Sequence, residues 1–271
     1  MWRAHTLLLF AGLAFFTSGN VYSAPEDWMP SGAQVSTSSV EVEYVSPGHQ
    51  LLGQALLGKL LFNTPGILGE RATRMGLSCN SCHPAGHKNP NFFIPGLSNK
   101  PGHIDISHRF WTDQEDNKAF DPVEIPSLQN VSQTAPFGTV LEFTTLSDFT
   151  RHVIVNEFAG PEPKSETIDA LVTYMGLLRT PDSGDQIDSP IPFANYLRLL
   201  EDPIAEGNID KVRQRAVLLR EELARRATQG KSEKQLHLLA NKLRQLANVM
   251  TRDQENAAVI LNEMIELAED Q

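Results

Sequence analysis

Two cysteines in 271 residues cannot build a disulfide framework. No run approaches the roughly 18 consecutive apolar residues that a membrane span needs. No stripe rich in Lys and Arg and interleaved with aromatics occurs, and Lys+Arg 23 against Asp+Glu 33 leaves a formal charge of −10, so nucleic acid is not an expected partner. A hydrophobic fraction of 41% is enough to bury a core, in two small domains or in one domain with an appendage.

Residues 1–24 read as a secretory signal. Arg3 supplies positive charge, Leu7 to Phe16 form an apolar run, and small or polar residues follow from Thr17, with cleavage expected after Ser23 or Ala24. An anchor helix needs about twice that run. No cysteine lies there to carry a lipid, so the expected location of the mature chain is the periplasm.

Both cysteines fall in Ser78-Cys79-Asn80-Ser81-Cys82-His83, which is C-x-x-C-H. That string is the signature of covalent haem c attachment. On a helix, Cys79 and Cys82 share a face and can form thioethers to two vinyl groups, while His83 presents a ring nitrogen to the iron. A thioredoxin-like redox pair needs a βαβ context, which is missing. A zinc site could recruit His83 and His87 but lacks a second knuckle. One covalent haem c is the expected cofactor.

Residues 25–48 are rich in Ser, Pro, Gly and Val and read as an extended arm. From His49 to Asn63 the residues Leu51, Leu52, Ala55, Leu56, Leu60 and Leu61 recur at helical spacing. Residues 84–143 are dominated by Pro, Gly, Asn and Asp and predict loops wrapping a cofactor. Helices are expected at 146–157 and 165–178, closing a first domain over 49–184. Residues 185–271 predict a Pro-punctuated linker and then a hairpin of two helices, Ile209–Ala227 and Ser232–Asp270, split at Gly230. The longer helix carries Leu236, Leu239, Leu243, Leu246, Met250, Ala257, Ile260, Met264 and Leu267 in a seam broken only at Asp253. This hairpin folds on itself or on the first domain, or else offers a dimer or docking surface.

Several strings occur in order. They are Leu57-Gly58-Lys59-Leu60-Leu61-Phe62-Asn63, Leu77-Ser78 before C-x-x-C-H, Ile125-Pro126-Ser127-Leu128-Gln129-Asn130-Val131, Thr134-Ala135-Pro136-Phe137-Gly138, and Thr145-Leu146 leading a helix. Over residues 49–181 the chain thereby resembles one haem domain of the bacterial di-haem cytochrome c peroxidase and MauG family. The resemblance implies an all-α, cytochrome c-like fold whose first and last helices cross, with Gly58 and Gly176 allowing close approach. The family carries two C-x-x-C-H sites and this chain has one, so a second haem and an internal relay are not expected. Gln129 stands where the family commonly has Arg, and Phe137-Gly138-Thr139 lacks the family's His-containing turn.

The sixth iron position decides between electron transfer and chemistry on a small ligand. His103 resembles the family's Gly-His after the attachment site and is the expected sixth ligand, making His83 and His103 the metal ligands. His108, His87, His152, Met75 and Met175 are weaker candidates. Arg109 and Trp111 are expected to hold a haem propionate and the pocket wall, and Pro95-Gly96-Leu97 to supply the carbonyl that orients His83. No catalytic residue is assigned; Glu115, Asp116 and Glu124 are the nearby carboxylates. The favoured function is electron transfer by a mono-haem cytochrome, with a peroxidase-like enzyme using an external electron partner as the alternative. A third reading is an assembly factor built on the hairpin. Residues 25–184 hold 10 Lys and Arg against 18 Asp and Glu, a net −8 that would steer a basic redox partner.

Overall fold

The computed structural model describes residues 42–112, 116–187, 190–228 and 233–269. The signal segment, residues 25–41 of the arm, and Glu115 lie outside the described residues. Among the described residues the chain is mainly helical, with four two-residue strands in two pairs. No described helix is long and apolar enough to cross a membrane.

The first unit runs β1 (Tyr44–Val45), α1 (Gly53–Phe62), α2 (Gly69–Met75), the single-turn α3 (Cys79–Cys82), β2 (His103–Ile104), β3 (Val123–Glu124), α4 (Leu146–His152), α5 (Ser165–Leu177) and β4 (Asp185–Gln186). A π-helical turn over Val153–Glu157 continues α4 directly. Helix α1 begins one turn later than its periodicity suggests, because Leu52 is its exposed N-cap. Beyond that point Ala55, Leu56, Leu57, Leu60, Leu61 and Phe62 are all buried, with both α5 and α8, described below, packing on the helix.

The expected crossing of the first and last helices is α1 against α5. A Cβ on Gly58 would lie 1.9 Å from the Ala170 carbonyl oxygen and 2.7 Å from Tyr174 Cβ, so only glycine permits this approach. Gly176 plays no such part, since a Cβ there would meet nothing within 4 Å.

The C-terminal end of the arm is not extended free chain. Tyr44 pairs with Gln186 and Val45 with Asp185 in an antiparallel ladder. Glu43, buried between helices, accepts a hydrogen bond from the Tyr174 hydroxyl at 2.5 Å and pairs with Lys59.

The second unit is α6 (Phe193–Leu197), α7 (Glu201–Ala205), α8 (Ile209–Thr228), α9 (Glu233–Val249) and α10 (Gln254–Glu269). The two-helix hairpin expected here is corrected to three long helices, because the stretch read as one helix divides after Met250. Asp253 caps the new start, its Oδ1 accepting from the Asn256 N–H at 3.0 Å. Folding back buries the seam: Leu239, Leu243 and Leu246 on α9 are fully covered, as are Ala257 and Met264 on α10. Antiparallel register shows in Gln235 bonding the Leu267 carbonyl and Lys242 pairing with Glu263. Arg225 of α8 donates to the Asn63 carbonyl at 2.9 Å, and Arg215 pairs with Glu166 at 2.6 Å, so the tail joins the core of the first unit.

Candidate haem site

Helix α3 is too short to be stable alone, and its surroundings hold it. Ser81 Oγ accepts from the Ser78 N–H at 3.0 Å, and the His83 N–H donates to the Cys79 carbonyl at 2.9 Å. Asn89 then donates to the Ser81 carbonyl at 2.8 Å, and the Ala85 N–H to Asn80 Oδ1 at 2.9 Å. The chain reverses through Gly86, whose φ is +83° and which packs against Leu178. Leu128 N–H closes on the Gly86 carbonyl at 2.8 Å and brings Pro126 beside His83.

Cys79, Cys82 and His83 converge on one cleft with about 850 Å³ of empty space, counting the part open to solvent. Its walls include Leu68, Leu77, Ile104, Leu128, Val153 and Phe158, all apolar. His83 Nδ1 lies 2.9 Å from the Pro126 carbonyl. A carbonyl can only accept, so Nδ1 carries the hydrogen and Nε2 keeps its lone pair. Burial pulls the His83 pKa down to about 4, against the raising effect of the Pro126 bond. Burial also pushes both thiols up to about 12. A thioredoxin-type pair needs a lowered thiol pKa, so these thiols do not fit that chemistry.

The zinc alternative fares no better. His87 Nε2 sits 2.7 Å from the Val42 carbonyl, and its ring lies against Gln129. Among the described residues no group of three or more His, Cys, Asp and Glu side chains is gathered to hold a metal ion by itself.

Other expected site residues lie elsewhere. His103 is not in the cleft lining, although its neighbour Ile104 is. Alternation along β2 sends successive side chains to opposite faces, and His103 Nδ1 stands 3.3 Å from the Pro101 carbonyl. Trp111 is fully buried one layer behind the wall: its Nε1 donates to the Asp105 carbonyl at 2.9 Å, and its ring meets Phe158 at 4.8 Å between centroids. Arg109 is exposed and lines a separate cleft with Arg71, Arg74, Met75, His108 and Phe110. Pro95 does not hold His83; Pro126 does, because the loop returning to Gly86 is the one that reaches the imidazole. Met175 is core on α5.

Among the lining residues not expected as site residues from the sequence are Thr139, Phe149 and Glu157. Glu157 ends the π-helical turn, where the extra residue per turn shifts it off the face that an α-helix would give it. Its side chain is 13% exposed, and Oε1 is 3.8 Å from His152 Nε2. Of the carboxylates considered from sequence, Glu124 is in the cleft lining, but its side chain shares the His103 face of the ribbon and is exposed, and its hydrogen bond to Lys88 holds it below the usual range. Asp116 is outside the lining. Comparison of the chain with protein-family models, with curated proteins and with solved structures gave no match.

Proposed function

We propose that the chain is an exported c-type cytochrome carrying one covalent haem c on Cys79, Cys82 and His83, and that its function is electron transfer. The observation that carries the reading is His83, which within C-x-x-C-H faces an apolar cleft with Nδ1 engaged by Pro126. An imidazole so held offers Nε2 in a fixed direction, and burial keeps it in the neutral form that binds metal. Cys79 and Cys82, three apart on one turn, would supply the two thioether sulfurs.

When bound, haem supplies one-electron redox chemistry. Leu68, Leu77, Ile104, Leu128 and Phe158 give the cleft apolar walls, lowering the local dielectric that helps set a redox potential. With a single C-x-x-C-H, electrons arrive from an external protein, and the net −8 of residues 25–184 favours a basic one.

A second reading, reduction of hydrogen peroxide, has one observation in its favour. His83 is the only histidine in the cleft lining among the described residues, and no methionine joins it. Acid-acetone extraction of the mature protein tests the attachment: the Soret band should stay with the polypeptide, and colour in the organic phase would overturn the proposal. Electron paramagnetic resonance of the oxidised protein separates the readings, low-spin supporting the carrier and high-spin the peroxidase.

A further inference from the structure

A cleft of about 390 Å³ lies at the seam between α8 and the first unit, a volume that suits a small organic molecule. Among the described residues it shares no lining residue with the cleft that holds Cys79, Cys82 and His83. Leu61, Ile67, Ile154 and Leu218 give it aliphatic walls, and Val217, 49% exposed, with the exposed Lys164 marks where it opens to solvent.

Glu221 of α8 belongs to the same lining and is only 8% exposed, yet its Oε2 has no hydrogen-bond partner. Arg225, whose charge acts on Glu221, is engaged elsewhere: it donates to the Asn63 carbonyl at 2.9 Å and to Glu222 at 3.1 Å. A buried acceptor without a donor is costly, so native folds hold few of them. Here the unfilled acceptor stands beside a cleft with room for the missing donor.

We infer that this cleft binds a small aliphatic primary amine as its ammonium ion, with the hydrocarbon body against Leu61, Ile67, Ile154 and Leu218 and an N–H donated to Glu221. The inference does not depend on the haem reading. An ionised carboxylate can only accept, so the ligand must bring the donor. A cation does more than a neutral donor, because it also offsets a buried charge that Arg225 leaves without a direct bond. A quaternary ammonium ion has no N–H, and among the described residues no aromatic ring lines the cleft to cage one. The other carboxylate in the lining, Glu162, is exposed and held by Arg151 at 2.6 Å, and Lys164 repels an ammonium group from the open side. Both leave Glu221 as the anchor. Oε2 itself is covered, but the last torsion of a glutamate side chain is broad, so a turn about it brings a carboxylate oxygen to the ligand.

The test titrates the full chain at pH 7 with hexylamine, hexanol and hexanoate, which share a six-carbon body or nearly so and differ in headgroup. Calorimetry should give hexylamine an affinity at least about tenfold tighter than hexanol, the lower range for a hydrogen bond to a charged group, and no binding of hexanoate. Glu221→Gln keeps the size and removes the charge; it should weaken hexylamine by about tenfold and leave hexanol within about twofold. Glu221→Met removes the carboxyl outright and should lose the same preference, which keeps the test open if the glutamine variant does not fold. Failure of hexylamine to bind at millimolar concentration would overturn the inference. So would equal affinity for amine and alcohol, which would show a merely apolar groove, or an unchanged hexylamine affinity in either variant.

Discussion

Residues 193–269 bury their apolar side chains through helix stripes, each leucine covered by the helix beside it. Leu236, Leu239, Leu243 and Leu246 of α9 are 0–2% exposed in this way. Residues 77–112 and 116–143 bury Leu97, Ile104, Trp111 and Ile125 with little regular structure, and there long-range main-chain bonds replace the stripe. Asp105 N–H donates to the Leu97 carbonyl, Ile125 N–H to Gly102, and Asn130 N–H to Leu178. A stripe distributes stability over many similar contacts, while a loop scaffold places individual carbonyls and side chains where a ligand needs them. Most of the cleft lining comes from the second kind of region, with Leu68 and the α4 turn completing it, while the tail packs on α1.

Breaking the helix crossing should have the largest effect. We predict that Gly58→Val, with its Cβ 1.9 Å from the Ala170 carbonyl oxygen, costs more than about 3 kcal/mol and yields no stable haem-loaded protein. Normal yield and an unchanged urea midpoint would show that α1 and α5 can separate. Next, Leu243→Ala in the tail should cost about 3 kcal/mol. The visible spectrum of the folded fraction should not change; a spectral shift would mean that the tail shapes the cleft as well as bracing it.

A third prediction concerns the seam between the tail and the first unit. Glu221 is buried there, and its Oε2 has no hydrogen-bond partner. Burial raises its pKa, against the lowering effects of Arg225 and Thr64. A carboxyl raised in the folded state costs stability above its folded pKa, and that cost fades as pH falls through that value. Glu221→Met should therefore stabilise the protein at pH 7 by about 1 kcal/mol, with the gain shrinking on acidification. Thermal melts at pH 7 and pH 4.5 measure both terms, and a variant less stable at both values would refute the assignment.

The smallest effects come from groups near the surface. Glu166→Ala removes the partner of Arg215 across the seam and should cost less than about 1 kcal/mol in urea titration, because the pair is partly solvated. His103→Gly should leave the visible spectrum and spin state unchanged, since His103 stands outside the cleft lining. Conversion to high-spin haem would restore His103 as the ligand.

What was legible in the sequence follows the same division. The stripes of α1, α5, α8 and α9 show in their spacing, and even the turn before α10 is marked by Asp253 interrupting the seam. The C-x-x-C-H string is local and needs no fold to be read. The direction of His103 could not be read from the sequence, because two-residue strands leave no periodic trace and the pairing of His103 with Glu124 decides which way it faces. Pro126 was missed for a related reason: it acts through its carbonyl, which every residue has. Glu157 follows α4 as an ordinary charged helical position would, and only the π-helical turn moves it to the cleft.

The pairing of Tyr44 with Gln186 carries a consequence for the order of assembly. This clasp joins chain segments more than 140 residues apart, and Glu43 cannot reach Tyr174 until α5 exists. Closing so long a loop is entropically costly and comes late. During synthesis the segment bearing Cys79, Cys82 and His83 therefore emerges well before the clasp can close. Its thiols are then accessible to chemistry that burial in the finished fold suppresses.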